Sequence, residues 1–192
     1  MQTLDQKVKK YGFKNGLILG MVITLLNILS FYFITSSSIS PVLFISAPIV
    51  FRAFIPMLTV LYLSFNIRKN VGGLWTFRQA TTGIFIMLMA AYLVNLAGKD
   101  LLFDKVIEPN GVQKIQSAAI NAKSSNMKDK GAGQDKIDAS IADMKKDFTQ
   151  ADNFSIGSFV MENAFIVLFL FVFALIFASL IRNAEYVPAS KK

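Results

Sequence analysis

Long stretches without a charged residue constrain this chain more than any other feature. No formally charged residue lies between Lys14 and Arg52, and a second such stretch lies between Arg78 and Lys99. A helix needs about 20 apolar residues to cross the hydrocarbon of a bilayer. The composition agrees, because only 17% of the residues are charged, whereas a soluble domain carries about 25%. The sequence therefore predicts an all-α membrane protein.

Polar breaks divide the apolar stretches into four predicted transmembrane helices. A Thr-Ser-Ser-Ser run after Ile34 ends the first span, and Arg68 and Arg182 follow the second and fourth. The first apolar stretch exceeds the 7–15 residues of a signal peptide, so we favour an uncleaved span over a cleaved signal. The spans cover about 16–34, 46–67, 79–98 and 160–181, each close to the length that a bilayer requires.

The distribution of lysine and arginine predicts the orientation. The N-terminal segment, the link between the second and third spans and the C-terminal tail carry ten basic residues against Asp5 and Glu185. The segment 99–153 has nine lysines and nine acidic residues, and it lies on the other side. Basic residues accumulate on the cytoplasmic side, which predicts both termini inside. Topology thus accounts for the net charge of +8, and we expect no nucleic-acid partner.

These features divide the chain into five segments. They are a basic cytoplasmic N-terminus (1–14), the first three spans (15–98), an extracytoplasmic helical segment (99–155), the fourth span (156–182) and a cytoplasmic tail (183–192).

The extracytoplasmic segment is too long for a loop without structure, and its pattern predicts two helices. The second has an apolar face with helical spacing, formed by Ile137, Ile141, Met144 and Phe148. Such a face packs on its own hairpin or on the end of the bundle; the alternative is a docking face for an external partner or for lipid headgroups.

Arg52 is the most costly residue in the predicted spans, because a charged side chain inside a membrane normally faces protein or water. Glu162 lies near the outer boundary of the fourth span, at a similar depth. We expect an Arg52–Glu162 ion pair, with Asn163 hydrogen-bonded beside it. The alternatives are an arginine that reaches the outer surface alone and a charged site for a substrate or proton.

Other residues in the spans favour helix packing. Asn27 and Asn95 are polar groups at depth and, with Asn163, are expected to hydrogen-bond to neighbouring helices. Gly12, Gly16 and Gly20 form two overlapping G-x-x-x-G steps, a bare face that allows another helix to approach closely. That helix belongs to the same chain or to a second copy of it.

The chain contains no cysteine and no histidine, which excludes thiol nucleophiles, Cys/His zinc sites and histidine-based acid–base catalysis. No phosphate-binding loop, nucleophile elbow or selectivity-filter motif is present. We therefore expect no catalytic residue, no metal and no cofactor, and we interpret the chain as a protein that is not an enzyme.

Three motifs resemble a widespread bacterial family of small four-span membrane proteins whose domain has no assigned function. They are Lys10-Tyr11-Gly12 with Gly16 and Gly20; Arg68-Lys69, Gly72-Gly73, Thr76-Phe77 and Gln79-Ala80; and the helix 134–141 with Met144-Lys145-Lys146 and Phe148. The resemblance implies the bacterial inner membrane and, as a partner, a membrane glycosyltransferase of the polyprenyl-phosphate type. It implies no catalytic residue, and Arg52 is not one of its features.

The predicted function is non-catalytic: an accessory or structural subunit of a membrane complex, whose partners are the lipid bilayer and a membrane protein or a second copy of the chain. One alternative is a small carrier or flippase for an anionic or lipid-linked solute that uses Arg52. The other is a helper of a polyprenyl-phosphate glycosyltransferase.

Overall fold

The computed structural model describes residues 3–36, 40–151 and 156–182 and, within them, every side chain except those of 147, 149–151, 156–160 and 162. These residues are helical almost throughout, and no strand occurs among them. Two stretches have π-helical geometry, with hydrogen bonds to the carbonyl five residues back. In chain order the elements are α1 Leu4–Ile34, α2 Pro41–Ile49, π1 Val50–Phe54, α3 Ile55–Asn70, α4 Phe77–Asn95, π2 Leu96–Ile107, α5 Gly111–Asp129, α6 Gln134–Ala151 and α7 Ile156–Ile181.

Four helical stretches are long and apolar enough to cross a membrane: Leu4–Ile34, Pro41–Asn70, Phe77–Ile107 and Asn163–Ile181. Large apolar side chains such as Phe165, Phe169 and Leu180 are exposed on them. An exposed apolar surface of this kind is suited to contact with acyl chains and not with water. The predicted all-α membrane fold with four spans is confirmed. The first helix begins earlier than its span, at Leu4, and the second begins at Pro41 instead of near position 46.

Local sequence explains where several helices begin and end. At the start of α1 the Gln6 N–H donates to Thr3 Oγ1 (3.3 Å) and the Thr3 N–H donates to Gln6 Oε1 (3.0 Å). Thr76 and Gln79 form the same capping box at the start of α4, with the same two distances. Gly72 has a φ of 115°, a backbone conformation open to glycine, and the chain turns there between α3 and α4.

The described chain divides into two compact units: unit 1 (residues 1–23, 56–95 and 162–192) and unit 2 (residues 24–55 and 96–161). Within unit 1, α1, α3, α4 and α7 share an apolar core. The side chains buried in that core include Leu19, Leu63, Ile67, Trp75, Ile84, Met87, Ala174, Phe177 and Ala178.

Four helix ends lie together at one end of unit 1. A Cβ built on Gly83 would lie within 4 Å of Val8 near the start of α1 and of Ile67 near the end of α3. Arg68 Nη1 donates to the carbonyl oxygen of Ile181, the last residue of α7 (3.2 Å). The first turns of α1 and α4 and the last turns of α3 and α7 therefore meet there.

Unit 2 contains α2, π1, π2, α5 and α6. Within it α5 packs against both α2 and α6. The rings of Phe31, Tyr32 and Phe103 contact one another edge to face, with centroids 5.2–5.7 Å apart, and Phe103 is fully buried. This aromatic cluster joins the last turn of α1 to π2.

Candidate functional site

The glycine seam, formed by Gly12, Gly16 and Gly20, packs against α4. A Cβ on Gly12 would lie 2.7 Å from the Gly83 carbonyl oxygen, and one on Gly16 would lie 2.5 Å from the Met87 carbonyl oxygen. Such distances are too short for any real side chain, so only glycine allows the two backbones to be this close. At the third step a Cβ on Gly20 would lie 2.5 Å from Val94 Cβ. The structure thus places α1 parallel to α4 and buries the seam within one chain.

One of the predicted polar residues, Asn163, contacts a neighbouring helix. The Tyr92 hydroxyl on α4 donates a hydrogen bond to Asn163 Oδ1 on α7, inside unit 1. Asn27 and Asn95 are half-buried, and each has an interaction partner. Tyr92 was missed in the sequence, because a tyrosine in an apolar stretch carries no sign of what its hydroxyl contacts.

A second polar contact, between α1 and α3, was also missed. Asn15 is buried at 3% exposure; its Nδ2 donates to the Tyr11 carbonyl oxygen (2.8 Å), and its Oδ1 accepts from Asn66 Nδ2 (3.3 Å). Buried amides need such partners, since an unpaired one costs about 1–3 kcal/mol. Both asparagines stand at the ends of apolar stretches, where the sequence shows a span boundary and no contact.

The carboxyl end of α7 is held by two donors, Arg68 in the last turn of α3 and Trp75 in the link between α3 and α4. Arg68 Nη1 and Trp75 Nε1 both donate to the Ile181 carbonyl oxygen, at 3.2 and 3.4 Å, and Arg68 Nε donates to the Gly73 carbonyl oxygen (2.8 Å). A cation here also offsets the negative end of the helix dipole. In the sequence Arg68 marked the end of the second span, whereas in the structure Arg68 and Trp75 both secure a helix terminus.

Arg52 lies in π1, and its side chain is exposed. Pro56 has no N–H to donate to the Arg52 carbonyl four residues back, and the Ile55 N–H instead donates to the Val50 carbonyl, five residues back. The proline thus explains the local widening of the helix at the arginine. The Glu162 side chain lies outside the described residues, so the Arg52–Glu162 ion pair stays a prediction.

A polar pocket of about 350 Å³ opens in unit 2 between the residues that follow α1 and the first turns of α5. Among the described residues, the side chains of Gln113, Ser117 and Asn121 make no hydrogen bond, and Asn110 precedes α5 without capping it. The pocket therefore presents unused amide and hydroxyl groups. Its polar lining includes Thr35, Asn110, Gln113, Lys114, Ser117 and Asn121.

Lys114, at the rim of the polar pocket, belongs to a charged triad. Its Nζ donates to Glu108 Oε2 (2.6 Å), while the Tyr32 hydroxyl donates to Glu108 Oε1 (3.1 Å). The hydrogen bond from Lys114 holds the pKa of the Glu108 carboxyl below its ordinary value, because it stabilises the ionised form. The carboxylate thereby fixes the lysine beside the pocket.

The apolar face predicted for the second helix of the segment 99–155 lies on α6, within unit 2. Ile137 is 1% exposed, and Ile141, Met144 and Phe148 are half-buried. Met144 lines a small cavity together with Phe44 of α2 and Ala122 of α5. Ile137 is therefore buried inside unit 2, while the choice between a packed face and a docking face stays open for the rest of this helix face. Within the described part of the chain, no three or more acidic side chains are grouped as metal ligands would be.

The helices and the apolar surface define the class: a multi-pass helical membrane protein. The model of a family described as protein of unknown function (DUF4199) matches residues 14–183, so the chain belongs to that family. The resemblance to a family with a domain of unknown function is thereby confirmed, while its bacterial distribution stays a prediction. No curated protein and no solved structure matches the chain.

Proposed function

We propose that this protein is a non-catalytic accessory subunit of a membrane complex in the bacterial inner membrane. In this proposal its termini are cytoplasmic, and unit 2 recruits a membrane-protein partner through the polar pocket. The polar pocket is the observation that carries the proposal.

The chemistry of the polar pocket suits binding better than catalysis. Neutral amides and hydroxyls can donate and accept hydrogen bonds. Lys114, the one cation among the described residues that line the pocket, is already paired with Glu108. Side chains with unused hydrogen-bonding capacity on one helix face are what a polar partner surface requires. Ala118 and Ala122, which also line the pocket, are buried, so the pocket is built on a packed part of α5.

The charge distribution supports the proposed orientation. The end of unit 1 where the four helix ends meet, here named the basic end, has one described acidic residue, Asp5. Under the rule that basic residues stay inside, this end faces the cytoplasm. The described cations at the basic end are Lys7, Lys9, Lys10, Lys14, Arg68, Lys69, Arg78 and Arg182.

Single cysteines can test the proposal, because the chain has none of its own. Ser117→Cys places a thiol in the polar pocket, and Ala142→Cys places one on the exposed face of α6 as a matched control. Tagged variants would be labelled in native membranes with a short maleimide–diazirine crosslinker, whose photoactivated end needs no cysteine on the partner, then irradiated, extracted in mild detergent and analysed by mass spectrometry. We expect one stoichiometric membrane protein to be crosslinked through position 117 and not through position 142.

The opposite results are equally clear. A protein that comes out alone or as a homo-oligomer, uncrosslinked at position 117, would exclude the accessory role. If the crosslinked partner is a polyprenyl-phosphate glycosyltransferase, the helper function follows. A thiol at position 117 that reacts with an impermeant maleimide only from the cytoplasmic side would exclude the proposed orientation.

A second candidate function, a carrier for an anionic or lipid-linked solute, rests on the exposed Arg52 in π1. Interruptions of this kind occur frequently at functional sites. The test is labelling of an Arg52→Cys variant from each side of the membrane, with Phe54→Cys as control. A carrier predicts that water-soluble maleimide reaches position 52 from one side; labelling from neither side excludes it.

A further inference from the structure

A second pocket, here named the basic pocket, opens between α1 and α4 at the basic end of unit 1. Its volume is about 230 Å³, and it is distinct from the polar pocket of unit 2. Val8 forms its buried floor at 1% exposure. The lining consists of Asp5, Val8, Lys9, Arg78, Gln79 and Thr82.

The charges of the basic pocket favour an anion. Lys9 and Arg78 both line it, and neither forms an ion pair with any residue that the structure describes. The one carboxylate, Asp5, accepts a hydrogen bond from Gln79 Nε2 (3.1 Å). Two cations against one carboxylate leave a net positive charge. An ammonium and a guanidinium that converge on one cavity match the oxygens of a phosphate group.

The N-termini of the two helices beside the basic pocket do not contribute free N–H groups for binding an anion. Capping boxes already satisfy the first N–H groups of α1 and α4, through Thr3 with Gln6 and Thr76 with Gln79. The charged side chains are therefore what remains to hold an anion.

The surroundings of the basic pocket favour a lipid over a soluble anion. Lys9 lies in the first turns of a membrane-spanning helix, and Phe13 and Leu17 follow it at intervals of four residues on the same helix face. Both side chains are exposed, at 54% and 38%. On α4, Ile86 follows Thr82 by one turn and is half-buried. Apolar side chains thus continue from the pocket along the two helices, where acyl chains would lie.

We infer that the basic pocket binds the phosphate headgroup of an anionic phospholipid, with Lys9 and Arg78 contacting the phosphate and the acyl chains lying along α1 beside Phe13 and Leu17. Basic pockets between membrane helices on the cytoplasmic side take such headgroups. The inference depends on the four spans and the basic pocket, and it does not depend on the accessory role proposed for unit 2.

The test is a lipid titration of the purified full-length chain in detergent, followed by native mass spectrometry. The probes are phosphatidylglycerol, phosphatidylcholine with the same acyl chains, and inorganic phosphate. The test variant is Lys9→Gln/Arg78→Gln. Its control is Lys14→Gln/Lys69→Gln, which removes two exposed cations from the same end of unit 1 outside the basic pocket. Fluorescence of Trp75, the one tryptophan, verifies that each variant is folded.

We expect one phosphatidylglycerol to bind in preference to phosphatidylcholine. In the Lys9→Gln/Arg78→Gln variant the affinity for phosphatidylglycerol should fall about 30-fold, which is the fold-change that corresponds to the usual contribution of two cations near a membrane surface. The control variant should keep the wild-type affinity. An equal loss in the control would assign the binding to general surface charge and overturn the inference. Binding without preference for phosphatidylglycerol would overturn it too, as would binding of inorganic phosphate that displaces the lipid.

Discussion

Replacement of Gly16 by alanine tests the packing of α1 on α4 most directly. The added Cβ would lie 2.5 Å from the Met87 carbonyl oxygen and 2.6 Å from Ala90 Cβ. Neither atom is the end of a flexible side chain, so rotamer changes cannot relieve the contact. The two helices must instead move apart.

The magnitude follows from the size of this movement. Ordinary contact between carbon atoms begins at roughly 3.5 Å, so α1 and α4 must move apart by about 1 Å near Gly16. A separation of that size removes a quarter to a half of the dispersion energy of each neighbouring pair of atoms across the two helices. Overpacking of this kind costs about 1–3 kcal/mol, and alanine recovers up to about 1 kcal/mol in helix propensity. We expect Gly16→Ala to lower the free energy of unfolding by about 1–2 kcal/mol, or Tm by about 2–8 °C.

Trp75 makes the measurement simple, because it is the only tryptophan and belongs to the same core. Unfolding in mixed micelles, by heat or by increasing SDS, would be followed through its fluorescence. Gly133→Ala is the matched control, since a Cβ there meets nothing within 4 Å and its φ is not positive. The control should unfold with the wild type.

Two results would refute the argument. If Gly16→Ala is as stable as the wild type or more so, the close approach of α1 and α4 is wrong. If it unfolds normally but changes the oligomeric state, the glycine seam contacts a second copy of the chain, which is the alternative that the sequence left open.

Three further predictions use the same unfolding measurement. Tyr92→Phe removes the hydrogen bond to Asn163 and should cost about 0.6 kcal/mol, the average for such bonds in membranes; no loss would contradict the contact. Arg68→Lys keeps the charge but loses the guanidinium group, whose Nε and Nη1 donate to the carbonyl oxygens of Gly73 and Ile181. This change should lower the free energy of unfolding by about 1–2 kcal/mol; wild-type stability would exclude the capping role. Because the hydrogen bond from Lys114 holds the pKa of Glu108 below its ordinary value, this contact stabilises the fold at pH values above that ordinary pKa, and its contribution is lost as the pH falls through the lowered pKa. Glu108→Gln should remove that part of the acid sensitivity; an unchanged pH profile would contradict it.

The sequence by itself determined the number of spans and the class of fold. A bilayer excludes any backbone that does not satisfy its own hydrogen bonds, so an apolar stretch of sufficient length must be helical, whatever surrounds it. The same local logic indicated the helix α6 in the segment 99–155, because the spacing of Ile137, Ile141 and Met144 is a property of one helix. The start of the second helix was less predictable. About 20 residues counted back from Ile67 already suffice to cross a bilayer, so span length alone gives no reason for the helix to begin as early as Pro41.

Only the tertiary structure decided which partner each residue has. Gly16 indicated a close helix contact, but the identity of α4 as the neighbour depends on how three other helices pack. Asn15 and Asn66 are 51 residues apart in the chain, and the Ile181 carbonyl that Arg68 caps is 113 residues away from it. The physical reason is that hydrophobic length is a sum over neighbouring residues, whereas a hydrogen bond depends on the positions of two particular atoms, which are fixed only once all the helices are packed.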